Sequence, residues 1–185
     1  IDYAIDDKLI VDKFFQGMGT PTRTHITPGI VGFNEEYYDT YLYDLEKAKE
    51  LLAEAGYDAG NPLSLTLQVP KGRYLLDSED LMLAGYGNSM FDPFLPLIAL
   101  NSKTYFERLG YRNERVDQLL DQAEATIDQK ARAQMYREAQ AILAEELPFI
   151  YIYAEQYFTG INTNRIEFAP PSSKDVLIED MTRAE

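Results

Sequence analysis

The chain has 185 residues, 45% of them hydrophobic, which is enough for one well-buried domain. Its net charge of −14 and isoelectric point near 4.4 argue against nucleic acid as a partner, because phosphate binding requires clustered Lys and Arg. The absence of cysteine excludes thiol catalysis, disulfides and thiolate metal sites, and no apolar run approaches the roughly 20 residues needed to span a bilayer.

The first predicted element is a helix that begins at Asp6 or Asp7 and ends at Gly17 and Gly19. The chain from 20 to 43 then carries several prolines and glycines without a sustained period, which predicts a long loop. Long ordered loops are often functional. The predicted apolar face of the helix consists of Leu9, Ile10, Phe14 and Phe15.

A second helix and a strand follow this loop. Asp44 is expected to cap a helix over about 44–55, which Gly56 closes. Residues 63–69 alternate between apolar and polar side chains, which is the period-two pattern of a half-buried strand. The predicted apolar face of the helix comprises Leu45, Ala48, Leu51, Leu52 and Ala55.

Residues 81–93 are the most informative part of the chain. Their apolar start predicts a buried strand at about 81–86, which ends in a Gly-Tyr-Gly break. Asp92 followed by Pro93 is a strong helix-start signal, with Asp92 as the N-cap and Pro93 as the first helical residue. Ligands of open α/β sheets gather at the carboxyl ends of strands, so this loop is the first candidate for a binding site. The loop presents Tyr86, Asn88, Ser89 and Phe91.

Two further helices are predicted at about 113–126 and 129–146, with Asp128 as the N-cap of the second and Pro148 beyond its end. Residues 149–161 are rich in aromatic and β-branched side chains, which predicts one or two strands, and 176–178 predict a short docking strand. The predicted apolar stripes are Val116, Leu119, Leu120, Ala123 and Ile127 on the first helix, and Ala131, Met135, Ala139, Ile142 and Leu143 on the second.

The junction between Glu79 and Asp80 does not fit this succession of elements. Only about a dozen residues separate the strands at 63–69 and 81–86, whereas a parallel crossover normally contains a helix. Residues 75–79 have the composition of a helix start without a helix body. We therefore expect a chain break or a wide spatial gap at this junction, where a segment is deleted, disordered or cleaved; a normal peptide bond there would indicate a real deletion.

Several stretches together form a recognisable pattern. They are IDYAIDDK at 1–8, GTP at 19–21, YDLEKAKELLAEAGY at 43–57, LSLTL at 63–67, GRY at 72–74, LAGY at 83–86 with Asp92 and Pro93, and YREAQAILAEELP at 136–148. On these residues, whose order and spacing extend over nearly the whole chain, it resembles the C-terminal lobe of family 5 extracellular solute-binding proteins. These are the dipeptide/oligopeptide-type receptors of ABC importers.

The resemblance implies an α/β fold, namely one lobe of a type II periplasmic-binding-protein-like fold over residues 1–185, with a segment missing between Glu79 and Asp80. Relatives of this kind carry a further helix and strand at that point. The implied function is capture of a peptide or related small solute by hinge closure of two lobes, followed by delivery to the membrane permease of an ABC importer. The implied partners are the solute, that permease and the absent N-terminal lobe. The implied location is periplasmic or extracytoplasmic, with lipid anchoring through an N-terminus outside this sequence.

The resemblance also assigns candidate site residues. In peptide-binding members the aromatic after the Ala-Gly pair is commonly Trp, and an Asp three positions later holds the peptide amino terminus. Tyr86 takes the aromatic position here and Ser89 the position of that Asp, so a ligand without a free ammonium is expected, or another acid supplies the charge. Asp92 is the nearest such acid, although its helix-capping role is favoured over a ligand role. Arg73 is a candidate for a ligand carboxylate and equally for a surface or interdomain position.

Other candidates favour structural roles. His25 is the only histidine, and a lone histidine in a loop is seldom a metal site, so neither a metal nor a cofactor is expected. Tyr151, Tyr153, Tyr157 and Phe158 are assigned mainly to strand packing, with a minority free to line a cleft.

Two other classes of function stay open at the level of sequence. A carboxylate-based hydrolase is conceivable because Asp and Glu are the plentiful reactive groups, but no pair has a recognisable context. A protein-interaction domain built on the helices within 113–146 is the third class. The predicted strands weigh against an all-helical scaffold. No enzymatic activity is expected.

Overall fold

The computed structural model describes residues 1–68, 81–82, 85, 92–104, 110–156, 160–168 and 181–183. The chain divides into two compact units. Unit 1 comprises Ile1–Asp6 and Leu42–Gly87, and unit 2 comprises Asp7–Tyr41 and Asn88–Glu185. Helices and strands occur in both units, which confirms the α/β class.

The helices and strands are short apart from two long helices in unit 2. The helices are α1 Asp7–Phe14, α2 Leu45–Glu54, α3 Phe94–Ile98, α4 Glu114–Ala125 and α5 Gln129–Glu146, with 3₁₀ turns at Asp2–Ala4 and Glu35–Tyr37. The strands are β1 Gly19–Pro21, β2 Leu67–Gln68, β3 Leu81–Met82, β4 Tyr153–Glu155, β5 Ile166–Glu167 and β6 Thr182–Arg183. No helix in the described ranges is long and apolar enough to cross a membrane.

Unit 1 contains α2 and the pair β2–β3. The Asp44 carboxylate accepts a hydrogen bond from the Lys47 N–H at 2.9 Å, which confirms it as the N-cap, and Gly56 ends the helix at a φ of +88°. Strands β2 and β3 are parallel, as the crossover argument assumed. The described strand residues, however, are two at each site, and 63–66 form no regular structure.

The predicted apolar faces of unit 1 are largely open. Ala48 is buried on α2, whereas Leu45 and Leu51 are exposed, and Leu67 on β2 is 59% exposed. The prediction of a half-buried leucine face at 63–69 is therefore wrong for Leu65 and Leu67. The physical reason is that one helix and a two-stranded pair do not supply enough surface to cover these faces.

The core of unit 2 lies between α4 and α5. Asn113 caps α4 through hydrogen bonds from the Arg115 and Val116 N–H groups, and Asp128 caps α5 by accepting from the Ala131 N–H at 2.8 Å. These two helices confirm the predictions at 113–126 and 129–146. The buried apolar cluster is Ile26, Ile30, Leu97, Leu100, Val116, Leu119, Leu120, Ala123, Tyr136, Ala139 and Leu143.

Two of the predicted apolar stripes need correction in part. Ile127 is 93% exposed, because α4 ends at Ala125 and Ile127 lies between the two helices. On α5, Ala131 is exposed, and the buried face is rotated toward Tyr136 and Gln140. The residues confirmed as buried are Val116, Leu119, Leu120, Ala123, Ala139 and Leu143.

Helix α1 begins at Asp7 as predicted but buries a different side. Val11 is buried and lies 3.5 Å from the position of a Cβ built on Gly19 in β1, whereas Leu9 is exposed and Phe14 is 79% exposed. The face predicted from large apolar residues is therefore wrong at Leu9 and Phe14. The contact with β1 selects the Val11 side, and a helical period cannot reveal which side meets a strand.

The long loop 20–43 is ordered and packs on α5. Ile26 and Ile30 contribute to the core, and Gln140 donates a hydrogen bond to the Gly32 carbonyl at 2.7 Å. Strand β1, at the start of this loop, pairs antiparallel with β4. The strand predicted at 149–161 is therefore confirmed at 153–155, whereas the described residues 149–152, 156 and 160–161 form no strand. The predicted docking strand at 176–178 and the Glu79–Asp80 junction lie outside the described residues.

Candidate functional site

Asp92 is the member of the predicted site that the structure describes. Tyr86, Asn88, Ser89, Phe91 and Arg73 lie outside the described residues. Asp92 directly follows the candidate loop in the sequence, so its contacts are described next.

The Asp92 carboxylate has two partners in the protein, the Phe94 N–H and the Arg132 guanidinium. Its Oδ1 accepts a hydrogen bond from the Phe94 N–H at 2.9 Å, which is the capping contact that the sequence predicts. The helix itself begins one residue later than predicted, at Phe94. Both carboxylate oxygens also accept from Arg132, with Nη1 at 2.5 Å from Oδ2 and Nη2 at 2.9 Å from Oδ1.

Arg132 uses its whole guanidinium in this arrangement. Its Nε donates to the Ala123 carbonyl at 3.0 Å and its Nη2 donates to the Tyr136 hydroxyl at 3.1 Å. The Arg132 side chain is only 15% exposed and that of Asp92 is 29% exposed. The hydrogen bond to Asp92 raises the pKa of Arg132, so the guanidinium is charged at every accessible pH.

This geometry bears directly on whether Asp92 can bind the amino group of a solute. An ammonium group of a solute at Asp92 would have to compete with a bidentate guanidinium, which is among the strongest partners a carboxylate has. The arrangement therefore favours the structural role for Asp92. The sequence analysis missed both Arg132 and Tyr136. The available signal was that an acid at the end of a loop needs a positively charged partner. Arg132 and Tyr136 also lie one helical turn apart on α5.

A small cavity lies beside this cluster. It has a volume of about 130 Å³ and is lined in part by Phe94, Lys103, Asp121 and Tyr136. Lys103 and Asp121 form an ion pair, which raises the pKa of Lys103 and lowers that of Asp121. Ligand pockets are typically several times larger, roughly 300–1,000 Å³, so this cavity does not by itself accommodate a peptide.

His25 is packed among aromatic rings. Its ring meets Phe149 and Tyr151 nearly edge-on, with centroid distances of 5.0 and 4.8 Å. Burial lowers the pKa of His25 to about 4. This is the structural use that the sequence favoured. Within the described residues, no group of three His, Asp or Glu side chains could hold a metal ion.

The aromatic segment after α5 also packs inward where it is described. Tyr153 stacks in a tilted arrangement on Phe15, with ring centroids 4.5 Å apart, and Tyr151 lies against His25. These contacts agree with the strand-packing role expected for Tyr151 and Tyr153. Tyr157 and Phe158 lie outside the described residues.

The chain is similar to known solute-binding proteins. Residues 1–79 match the family model of bacterial extracellular solute-binding proteins, family 5 middle. Heme-binding protein A of Haemophilus influenzae is 29% identical over 81% of this chain and 34% of its own length. The dipeptide-binding protein of Escherichia coli is 25% identical over 87% of this chain and 37% of its own length.

The chain is therefore similar to the family 5 solute-binding proteins, by the family model over residues 1–79 and by these relatives over most of its length. The members of that family are described as extracellular proteins that bind solutes. The chain spans only about a third of the length of these curated relatives.

The fold agrees with this assignment. The periplasmic binding protein DppA of Helicobacter pylori, solved in complex with the peptide STSA, superposes with a TM-score of 0.69. The match covers 82% of this chain and 36% of that protein at 24% identity. The fold is therefore similar to part of the fold of a periplasmic binding protein, as the family 5 resemblance implied.

Proposed function

We propose that this chain is a family 5 solute-binding protein and part of the substrate-binding component of an ABC importer, which captures a peptide or related small solute between two lobes and delivers it to a membrane permease. The observation that carries the proposal is the match in both sequence family and fold, including a neighbour solved with a bound peptide. The N-terminal lobe of the same protein and the permease are the partners. An extracytoplasmic location, with a lipid anchor on the receptor, belongs to the same proposal.

The solute site is proposed to include Tyr86, Asn88, Ser89 and Phe91, with Arg73 as a candidate for an anionic group. The names of the relatives point to solutes as different as heme and dipeptides, so family membership leaves the solute open. The neutral Ser89 at the amine-anchor position, and the occupied carboxylate of Asp92, support a ligand that presents no free ammonium at this point.

No catalytic activity is part of the proposal. The family resemblance supports a binding role, and two described carboxylates have structural partners: Asp92 pairs with Arg132, and Asp121 in the cavity lining pairs with Lys103. An interaction domain built on α4 and α5 is disfavoured, because the apolar faces of these helices are buried in the core of unit 2.

A segment absent from this chain is also part of the proposal. The alignment with heme-binding protein A extends over 189 positions although it uses 81% of a chain of 185 residues, so that relative carries residues inside the matched region which this chain lacks. This supports a deletion, and the Glu79–Asp80 junction is the place that the sequence suggests. Peptide mapping of the protein from its natural host tests it: a tryptic peptide 74–103 of the printed sequence supports the deletion, and a longer intervening segment contradicts it.

Native mass spectrometry of the intact receptor purified from its host tests the function. A retained small solute, displaced by added peptide or by heme, is the expected result. Catalytic turnover of an ester, glycoside or peptide that is abolished by mutating a carboxylate of this chain would instead favour the hydrolase.

A further inference from the structure

We propose that the cavity beside α3 and α4 is a binding site for a small organic ammonium ion, with the carboxylates of Asp121 and Glu124 as its anionic contacts. The lining residues come from α3, the segment 101–104, α4 and α5, all of them in unit 2. Neither these residues nor an ammonium ligand belong to the proposed solute site. A small amine would therefore bind in addition to the solute.

The shape of the cavity suits a short organic group. Its buried wall is formed by Leu120 and Tyr136, together with the partly buried Phe94 and Ile98. Its volume of about 130 Å³ is close to the roughly 150 Å³ of an apolar cavity that holds a benzene molecule. A short aliphatic chain therefore fits against this wall, whereas a peptide does not.

The charge of the lining selects a cation. The charged side chains that border the cavity are one cation, Lys103, and two anions, Asp121 and Glu124. Glu124 makes no hydrogen bond or ion pair within the described residues, so one negative charge of the lining is left without a counter-charge there. Behind the apolar wall, Arg132 and Asp92 neutralise each other. A cationic ligand is therefore favoured over an anionic one.

An ammonium group of the chain itself already pairs with one of these carboxylates. Asp121 Oδ1 accepts a hydrogen bond from the Asn101 amide at 2.9 Å, which orients the carboxylate, and Asp121 Oδ2 pairs with the Lys103 ammonium. The side chain of lysine has the chemistry of n-butylamine. Both members of this ion pair are exposed to solvent, so the pair is weak and a ligand ammonium can displace Lys103 from Asp121.

Competition with Lys103 gives the most direct test. Saturation-transfer NMR of the intact receptor measures the affinity for n-butylamine, which is charged at pH 7 as a lysine side chain is. Lys103→Ala removes the internal competitor, so we expect this variant to bind n-butylamine roughly two- to fivefold more tightly than the wild type. Lys130→Ala is the matched control, because it removes an exposed lysine of α5 that does not border the cavity. It should leave the affinity unchanged.

Three further measurements locate the bound amine and define its class. Asp121→Asn, added to Lys103→Ala, should abolish the gain in affinity, because the anionic contact is lost. Ile98→Phe fills the cavity without a change of charge and should abolish binding. Thr104→Phe, at an exposed position of the lining, should block the opening and serves if Ile98→Phe fails to fold. n-Butanol has nearly the same shape without the charge and should bind more weakly than n-butylamine.

The proposal is overturned by any of the following results. Equal affinities of the wild type, Lys103→Ala and Lys130→Ala, or no binding to Lys103→Ala, would show that the amine does not compete for Asp121. Unchanged binding in both Ile98→Phe and Thr104→Phe would place the amine outside the cavity. Equal affinities for n-butanol and n-butylamine would show an apolar cavity without a preference for cations. None of these measurements depends on the solute that the receptor carries.

Discussion

At the scale of single residues, the stability of unit 2 depends on buried polar side chains and on residues with unfavourable backbone angles. His25 is enclosed by Phe149 and Tyr151, and Gly32 lies against Tyr136 with a φ of +80°. Both belong to the long loop 20–43, in which such contacts add to the order that β1 and the 3₁₀ turn at Glu35–Tyr37 provide. Each position makes a prediction about stability.

Acid should destabilise the fold through His25. Burial lowers its folded-state pKa to about 4, whereas an unfolded histidine titrates near 6.5, so the unfolded state binds the proton more readily. The stability that comes from keeping His25 neutral is complete above the unfolded pKa. It is lost as the pH falls toward 4, and about 2 kcal/mol of the free energy of unfolding is lost by pH 5. Urea unfolding at pH 7.5 and 5 measures it.

His25→Phe is the matched control, because it keeps an aromatic ring and removes the titrating group. Both proteins share the same carboxylates, so the difference between their pH profiles isolates the histidine. Parallel profiles for the two proteins would contradict the assignment of a buried neutral His25.

Replacement of Gly32 by alanine should be costly for two reasons. A Cβ at this position would lie 2.8 Å from the Tyr136 Cβ, and the φ of +80° is unfavourable for any side chain. Gly17→Ala is the matched control, since its φ is +79° but nothing lies within 4 Å. We expect Gly17→Ala to cost about 1 kcal/mol and Gly32→Ala roughly 1–3 kcal/mol more, measured by urea unfolding. Equal losses would show that the loop relaxes away from α5.

At the scale of elements, unit 2 is organised by polar contacts between the loop 20–43 and α5 as well as by the apolar core. Gln140 is 3% exposed and accepts a hydrogen bond from the Thr24 hydroxyl at 2.9 Å while donating to the Gly32 and Tyr136 carbonyls. One amide side chain thus joins both ends of the buried loop segment to the helix. Such a connection specifies how the loop lies on the helix, which apolar contacts alone do less strictly.

Gln140→Leu should therefore destabilise the protein strongly, by about 2–4 kcal/mol, because it leaves buried polar groups on the loop without their partner. Gln134→Leu is the control, since Gln134 is exposed on the same helix and its replacement should change stability by less than about 0.5 kcal/mol. A double-mutant cycle with Thr24→Val measures the direct contact. Additive effects of Gln140→Leu and Thr24→Val would rule out that coupling.

At the scale of the whole molecule, the two units differ in how much they bury. Unit 2 holds the connected core around α4 and α5, whereas Ala48 is the one buried residue among the described residues of unit 1. Several of its large apolar side chains are exposed, including Leu45, Leu51, Leu65 and Leu67. A unit that buries so little apolar surface gains little of the free energy that offsets chain entropy.

We therefore expect the two units to open separately. In hydrogen-exchange mass spectrometry of the isolated chain, amides of α2 should exchange through low-energy openings, while those of α4 and α5 should be the best protected. In the larger receptor proposed above, burial of the exposed apolar face of unit 1 should raise the protection of α2. Equal protection of α2 and α5 in the isolated chain would contradict this difference between the units.

The sequence by itself determined the resemblance to family 5 solute-binding proteins, the class of fold and the caps of α2 and α5. These depend on local chemistry: Asp44 and Asp128 accept from backbone N–H groups three residues away, and the stripe of α4 repeats with the helical period. Short-range order of this kind depends on residues that are close to one another in the sequence.

Only the tertiary structure decided which faces are buried and what the polar residues hold. Val11 is the buried side of α1, where the sequence predicted Leu9 and Phe14. The partner of Asp92 is Arg132, which lies 40 residues away in the chain. Gln140 likewise gained Thr24 and Gly32 over more than a hundred residues. The physical reason is that burial and charge pairing depend on which elements meet in space, and periodicity along the chain carries no information about that meeting.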